Sequence, residues 1–503
     1  MNNFDRYNIK GLNLKRITTF KLTRNRLNFI NSKFLTEFKN NTSGIIGSII
    51  LFFLILLTIY AFVAIPSDSI KEWNNPSFWI NNPKGAAPMW SNLIYGNKVP
   101  EHIILSYDKD SLNISETDID NFNNYVTSNT EYLNNMKVIN HDYHVNYNFD
   151  EPPTDIMFSY SLEIGEIPSA IEIKVSRPDG TKFILYFDSI SSSLTETNNL
   201  LKIGRIFSTD SQFSNQLKKQ ESQFQYPADF SNPVTLVFSN LNNTTILKGE
   251  YIFTIKFYLF KESDSVKNSA FILGGKTFGL LGTDEMRRDL IIGLIGGTPW
   301  ALFIGLSVSI VSIFIGLLYG VIAGYKGKRL DEGMMRINDI FYSLPTLPIL
   351  IILTVFIGRS IFLIILFIIF FGWMGTAKIS RSLALQIKTF QYVESAKLIG
   401  QSDTKIIIKH IIPQLLPLTF ASIALSVPGA ILVEAGLSFI GLGDPSILTW
   451  GQMLHEANSA AAASRGLWWW LIPPGVMIAL TGLAFVLIGN ALESIFHPKM
   501  LKK

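Results

Sequence analysis

The chain has 503 residues, 48% of them hydrophobic and only 16% charged, below the roughly 25% charged residues of a soluble domain. It has no cysteine, which excludes a disulfide framework and thiolate metal sites. The net charge of +4 comes from basic residues flanking apolar stretches, the pattern of a membrane topology signal rather than of nucleic-acid binding.

In chain order, residues 1–43 form a basic segment with Arg6, Lys10, Lys15, Arg16, Lys21, Arg24, Arg26, Lys33 and Lys39 against only Asp5 and Glu37. The apolar stretch Gly44–Ile65 follows, long enough for about 30 Å of hydrocarbon. Its approach and core are longer than those of a cleavable leader, so it reads as a retained anchor with the N-terminus inside. Residues 66–277 change character, being polar and rich in Asn and Ser. The stretch Pro66–Pro100 reads as a linker or extended cover. Ala170–Ser176 and Thr181–Phe187 alternate with period two around Arg177-Pro178-Asp179-Gly180, a hairpin pattern. Tyr251–Phe260 and Val234–Phe238 also read as strands, whereas Asp108–Tyr132 reads as helical or irregular. The segment is therefore expected to be a β-rich (α+β) domain, held by its apolar core alone.

Residues 278–503 return to apolar spans: Thr298–Tyr325, Phe341–Gly358, Ser360–Ala377, Leu415–Ser438 and Leu467–Asn490. The break Gly358-Arg359-Ser360 argues for a hairpin, since one helix from 341 to 377 would overshoot the bilayer. With Gly44–Ile65 this makes six transmembrane helices. The predicted inside segments are all basic: Lys326, Lys328, Arg329 and Arg336; then Lys378, Arg381, Lys388, Lys397, Lys405 and Lys409; then Lys499, Lys502 and Lys503. Both termini are thus expected in the cytoplasm and the 66–277 domain outside a cell membrane. Trp468, Trp469 and Trp470 fall at the outer edge of the last span, where indole rings favour the headgroup zone.

Catalytic motifs are lacking. Gly274-Gly275-Lys276-Thr277 resembles the end of a phosphate loop, but Ala270 stands where its leading glycine belongs, and Arg329 follows Gly327-Lys328 where Ser or Thr is required. The six histidines are scattered, and no spacing gives a nucleophilic triad. The chain is expected to be no enzyme and to bind no cofactor or metal, so any ATP or Mg would act on partner subunits.

Glu394-Ser395-Ala396-Lys397-Leu398-Ile399-Gly400, followed by Ser402, Asp403 and Ile412-Pro413, is a charged, helix-compatible segment between two spans. Gly400 permits a sharp reversal, Ser402 or Asp403 can cap the helix that restarts, and Pro413 ends it or opens the next span. The segment is either an ordinary amphipathic loop or a rigid elbow that passes force from a soluble partner. It resembles the cytoplasmic Glu-Ala-Ala loop of ABC importer permeases, with Ser395 replacing the first alanine and Ile412 the leucine. Gly282-Thr283-Asp284-Glu285-Met286-Arg287-Arg288-Asp289 is similar to a signature of oligopeptide and dipeptide permeases, with Arg287 where that signature has glycine. Asp331–Pro345, Glu434–Gly443, Trp450-Gly451, Gly489-Asn490 and His497-Pro498 resemble the C-type subunit of the same importers. The resemblance runs from about Gly279 to the C-terminus and, loosely, over the first span. It does not reach the 66–277 insert.

The resemblance implies one permease of a heterodimer that works with a second permease, two cytoplasmic ATPases and an external substrate-binding lipoprotein to import peptides; nickel importers share the signatures. It implies that Glu394 makes a polar contact to the ATPase, that Gly400 makes the turn, and that Ala396 and Leu398 pack in the ATPase groove. Glu434 is either a pore or gate position or a helix-end charge reaching the interface. Pro345 and Pro428 either bend helices along the pathway or mark span ends. The charges of Asp284, Arg288 and Asp289, beside Gly282 and Thr283, either form a solvated cap or position the external domain or a binding protein. The insert is expected to guide the binding protein above the pore. Two other classes fit the outline: a four-span mechanotransmitting subunit and a sensor without transport.

Overall fold

The computed structural model describes residues 36–95, 99–108, 115–116, 124–133, 136–164, 169–190, 200–261 and 264–496. The basic residues from Arg6 to Lys33, the tail lysines and His497-Pro498 lie outside them. The chain divides into two compact units. One runs to Ile70 and adds Gly293–Ala461 and the chain from Leu471; the other is Lys71–Ile292 with Ala462–Trp470. The second unit is thus wider than residues 66–277, because it includes 278–292 and a short piece before the last span.

The first unit contains helix α1 (Thr42–Val63), whose N-cap Asn41 accepts a hydrogen bond from the Gly44 amide. Gly44 and Gly47 let it lie close to Ala491 and Ala484 of the last helix.

The second unit is an antiparallel sandwich. One sheet has the order β2-β1-β10-β5-β8, made of Ser115–Glu116 (β2), Ile103–Asp108 (β1), Ser265–Leu273 (β10), Ile156–Ile164 (β5) and Leu200–Phe207 (β8). The other has the order β3-β4-β9-β6-β7, made of Tyr125–Leu133 (β3), Met136–Tyr147 (β4), Gly249–Leu259 (β9), Ser169–Ser176 (β6) and Lys182–Ile190 (β7). Alternate residues Tyr251, Phe253, Ile255, Phe257 and Leu259 of β9 point into the core, where they meet Phe158, Phe271 and Tyr143. The predicted hairpin is β6–β7, with Gly180 at φ +81° in its turn. Two short helices, α2 (Ser211–Lys218) and α3 (Pro233–Phe238), accompany the sheets. The β-branched run Val234–Phe238 reads as a strand, yet it is helical because Asn232 caps it and Pro233 takes the first turn. Tyr125–Tyr132, expected to be helical or irregular, pairs along its whole length with β4. The stretch after Pro66 is not simply extended: it folds into short helices at Ser67–Lys71, Met89–Ser91 and Asn92–Tyr95 and buries Trp73 and Trp79.

The remaining helices are α4 (Leu290–Lys326), α5 (Lys328–Tyr342), α6 (Thr346–Ile357), α7 (Ile361–Gly372), α8 (Met374–Ile387), α9 (Gln391–Leu398), α10 (Asp403–Phe439), α11 (Trp450–Ser459) and α12 (Trp468–Phe496). Among the described residues five helical runs are long and apolar enough to cross a membrane: α1, α4, α7 with α8, α10 and α12. A sixth exists only if α5 and α6, bent by 74°, count as one span. The expected span Phe341–Gly358 is not one continuous helix, since α5 ends at Tyr342 and α6 starts at Thr346. Helix α6 has 12 residues, about 18 Å at 1.5 Å per residue, and Pro345 at its N-cap stops the chain from continuing straight out of α5. The reversal at Gly358 holds, with φ +123° there, and α6 and α7 share a core through Leu350, Ile361 and Ile364.

Candidate functional site

The elbow is α9 and the turn after it. Helix α9 starts at Phe390, whose carbonyl accepts from the Val393 and Glu394 amides. Glu394 in its first turn and Lys397 in its last both suit the helix dipole. The end is a double-bonded cap: the Gln401 amide donates to Ala396 O (3.1 Å) and the Gly400 amide to Lys397 O (3.0 Å), with Gly400 at φ +82°. A Cβ on Gly400 would meet nothing within 4 Å, so this glycine is required by backbone conformation and not by space. Ser402 stands at the next N-cap without a side-chain cap bond, and Asp403 instead accepts from Tyr325 Oη of α4 at 3.1 Å. Pro413 does not end the helix. One π turn, Ile407–Ile411, widens it just before a residue that has no amide to give Lys409, and α10 runs on to Phe439.

One face of α9 is internal. Val393 and Ala396 pack with Leu317 and Val321 of α4, Ala384 and Ile387 of α8, and Ile406, Ile411 and Leu415 of α10. Ala396 thus packs against its own chain, which corrects the expectation that it fills a partner's groove. Leu398 and Ile399 face the other way, 88% and 82% exposed, beside exposed Phe390 and Tyr392, Glu394 and Ser395. Ile412 is half-buried against the cluster and Pro413 is exposed.

A rigid platform carries this elbow. A Cβ on Gly316, Gly320 or Gly324 of α4 would come within 2.5, 2.2 or 2.6 Å of a backbone oxygen of Trp373, Ala377 or Arg381. Close contact of α4 with the Trp373–Ala384 stretch therefore depends on glycine at every fourth residue, a spacing readable in the sequence but not used above. Arg381 clasps Asp331 of α5 through Nε (2.5 Å) and Nη2 (2.7 Å), Lys378 pairs with Asp339 (2.8 Å), and Lys388 Nζ donates to Gly324 O (3.0 Å). Asn338, fully buried, donates to Met374 O.

The pathway candidates separate. Glu434 is buried and accepts from Ser438 Oγ (2.7 Å) and Thr449 Oγ1 (3.0 Å). Both bonds are internal to the chain, so the carboxylate is not a helix-end charge reaching the surface. It holds Thr449, the N-cap of α11, next to Trp450, whose indole N–H donates to Leu294 O and whose ring lies against Gly297. Pro345 marks the 74° break, and Pro428 lies inside α10 near Gly482 of α12.

The family model described as the binding-protein-dependent transport system inner membrane component matches residues 316–502, which contain the platform and the elbow. The dipeptide transport system permease protein DppC of Bacillus subtilis is 37% identical over 220 residues, 44% of this chain and 68% of that protein. The chain belongs to this family of transport permeases. The oligopeptide transport system permease protein OppC of Bacillus subtilis is 35% identical over 222 residues and OppC of Haemophilus influenzae 37% over 223; the matches cover 72% and 71% of those proteins and 44% of this permease. The sandwich lies outside the matched segment 316–502.

The turn at 282–289 of this permease is not a solvated cap. Thr283, Asp284 and Arg288 are buried, and Arg288 Nε donates to Asp284 Oδ2 at 2.5 Å while its guanidinium sits 4.6 Å from the Trp73 ring centre. Thr283 Oγ1 donates to Pro83 O and accepts from the Ala86 amide. Gly282, at φ +73°, leaves no room for a Cβ, which would fall 2.2 Å from Ala86 O. Burial pushes the Asp289 carboxyl up to about 6, partly offset by a bond from the Ile291 amide. Arg287, in the position where the related signature has glycine, adopts φ +65°. Its side chain reaches Asn82 O (2.6 Å) and Asp155 of the sandwich, and Asn82 Nδ2 returns a bond to Arg287 O. The ion pair thus offsets a left-handed conformation that costs roughly 1–2 kcal/mol. Asp155→Ala, which loses the pair and keeps the strain, should lower the melting temperature of the purified permease more than Arg287→Gly, which loses the pair but relieves the strain. Equal shifts would show that the backbone is unstrained.

Proposed function

We propose that this chain is a transmembrane subunit of an ATP-driven oligopeptide or dipeptide importer and forms half of the translocation pathway. The observation that carries the reading is the elbow: a glycine-capped helix, fixed on one face by its own core, that exposes Leu398 and Ile399 at its tip. Two fully exposed aliphatic side chains on a rigid support fit a protein partner better than they fit water. Cytoplasmic ATPases, in this reading, grip Leu398, Ile399 and Glu394 and carry ATP and Mg on their own chains. Closure of the ATPase pair drags the elbow, and α4, α8 and α10 follow because the cluster around Val393 and Ala396 joins them. A second permease completes the pathway, and alternating access follows from rocking of the two halves. The termini are cytoplasmic, and the sandwich lies outside the cell membrane, where it guides a substrate-binding lipoprotein. The relatives' names supply the peptide substrate. The five helices long enough to span disfavour a four-span mechanotransmitting subunit.

Because the chain has no cysteine, Leu398→Cys gives a single probe. A membrane-impermeant maleimide should label it only in permeabilised cells, and a short bifunctional reagent should join it to an ATPase subunit. Labelling in intact cells would overturn the orientation and the importer reading with it.

A further inference from the structure

Two segments of the sandwich-containing unit meet along their backbones and carry no charge. Residues 86–95 and 277–283 contain no Asp, Glu, Lys or Arg. They are joined by bonds from the Phe278 amide to Ala87 O (2.8 Å), from the Met89 amide to Gly279 O (3.0 Å) and from Trp90 Nε1 to Leu280 O (2.8 Å). The polar atom of the indole is thereby satisfied internally, while the ring remains 39% exposed beside Met89 at 46%, Leu93 at 88% and Leu280 at 67%. The Trp90 ring lies 5.5 Å from that of Trp468, which packs on Trp469 and is the first residue of α12, a 29-residue apolar span. The exposed patch therefore adjoins Trp468, the residue at which that apolar helix begins.

From this continuity we propose that Met89, Trp90, Leu93 and Leu280 form a membrane wedge that inserts among lipids at the N-terminal end of α12. The occupant is the bilayer itself. The patch adjoins a span, has aromatic rings of the kind that favour the headgroup zone, and has no charge of its own to hydrate or to pair with a partner. Its backbone polar groups are bonded between the two segments, which lowers the cost of taking them out of water. The short helices Met89–Ser91 and Asn92–Tyr95 thus act as a foot that rests the unit on the membrane. Only the choice of leaflet depends on the orientation proposed above.

The test uses the full chain in phosphatidylcholine–phosphatidylglycerol nanodiscs, with an environment-sensitive fluorophore on Leu93→Cys, Leu280→Cys or, as a control, Thr244→Cys in an exposed turn of the unit. Both patch positions are exposed, so the substitutions leave packing intact. Nitroxide lipids labelled near the headgroup are placed in both leaflets. Probes at 93 and 280 should emit to the blue of the probe at 244 and lose at least half their intensity to the nitroxide lipids, with the control unchanged. Water-like emission at 93 and 280 overturns the wedge. So does blue-shifted emission without lipid quenching, which would mean that a protein covers the patch, and so does quenching at only one position. Because the readout is lipid contact and not transport, its failure leaves the importer reading standing.

Discussion

Replacing Leu398 and Ile399 together by aspartate is expected to abolish ATPase capture and peptide uptake while the chain itself stays folded. Both side chains are more than four-fifths exposed in the free chain, so their replacement removes almost no internal contact. Such surface changes typically shift stability by no more than about 0.5 kcal/mol. At a docked interface the same two side chains are desolvated, and each is worth about 1.5–3 kcal/mol if fully buried. Losing both, and forcing two carboxylates into an apolar groove, should weaken association on the order of a hundredfold or more. The measurement is co-purification of the ATPase beside a melting curve of the permease. A normal melting curve with normal ATPase recovery would remove the elbow from the coupling role. Val393→Asp is the opposite control: it should damage the fold itself, because that residue is internal.

The elbow was legible in the sequence because its determinants are local. Gly400 turns on backbone conformation alone, and helix α9 announces itself through Glu394, Lys397 and the glycine that caps it. Which face of that helix is free was not legible. Ala396 and Leu398 stand two residues apart, and only the packing of α4, α8 and α10 decides that the first is inside and the second outside. Of the two outcomes open for Pro413 it takes the second, standing in the first turn of Ile412–Phe439, and what was not legible is the π turn that keeps this stretch continuous with Asp403. That Glu434 is held by Ser438 and Thr449 was not legible either, because Thr449 lies 15 residues away, beyond the end of its helix.

In the sandwich the hairpin β6–β7 and strand β9 followed from period-two alternation, which reflects one buried and one solvated face. The same rule failed at Val234–Phe238, where the cap at Asn232 and the proline at 233 outweigh strand propensity, and at β3, which is mostly exposed on both faces and so shows no alternation. The turn at 282–289 shows why a row of charges is ambiguous on paper. Asp284 and Arg288 neutralise one another in the interior, and only Arg287 departs from the related pattern, at a position whose backbone angle explains why glycine suits it.

Gly320→Leu should have the largest effect on the fold. A Cβ at that position lies 2.2 Å from Ala377 O and 2.8 Å from both Arg381 N and Ser380 Cβ, and two of those three atoms are backbone and cannot swing away. Helices α4 and α8 would have to separate, which costs about 3 kcal/mol or more where overpacking meets backbone. Separation would also pull Arg381 from Asp331 and disturb Leu317 and Val321 beneath the elbow. The expected result is a collapse of monodisperse yield in detergent, and for the milder Gly320→Ala a lower melting temperature with reduced uptake. Gly333→Ala on α5, where a Cβ meets nothing within 4 Å, should be neutral or stabilising by up to about 1 kcal/mol through helix propensity. If Gly320→Ala melts like the parent, α4 and α8 are not in backbone contact, and the platform that turns a stroke on the elbow into movement of the spans is absent.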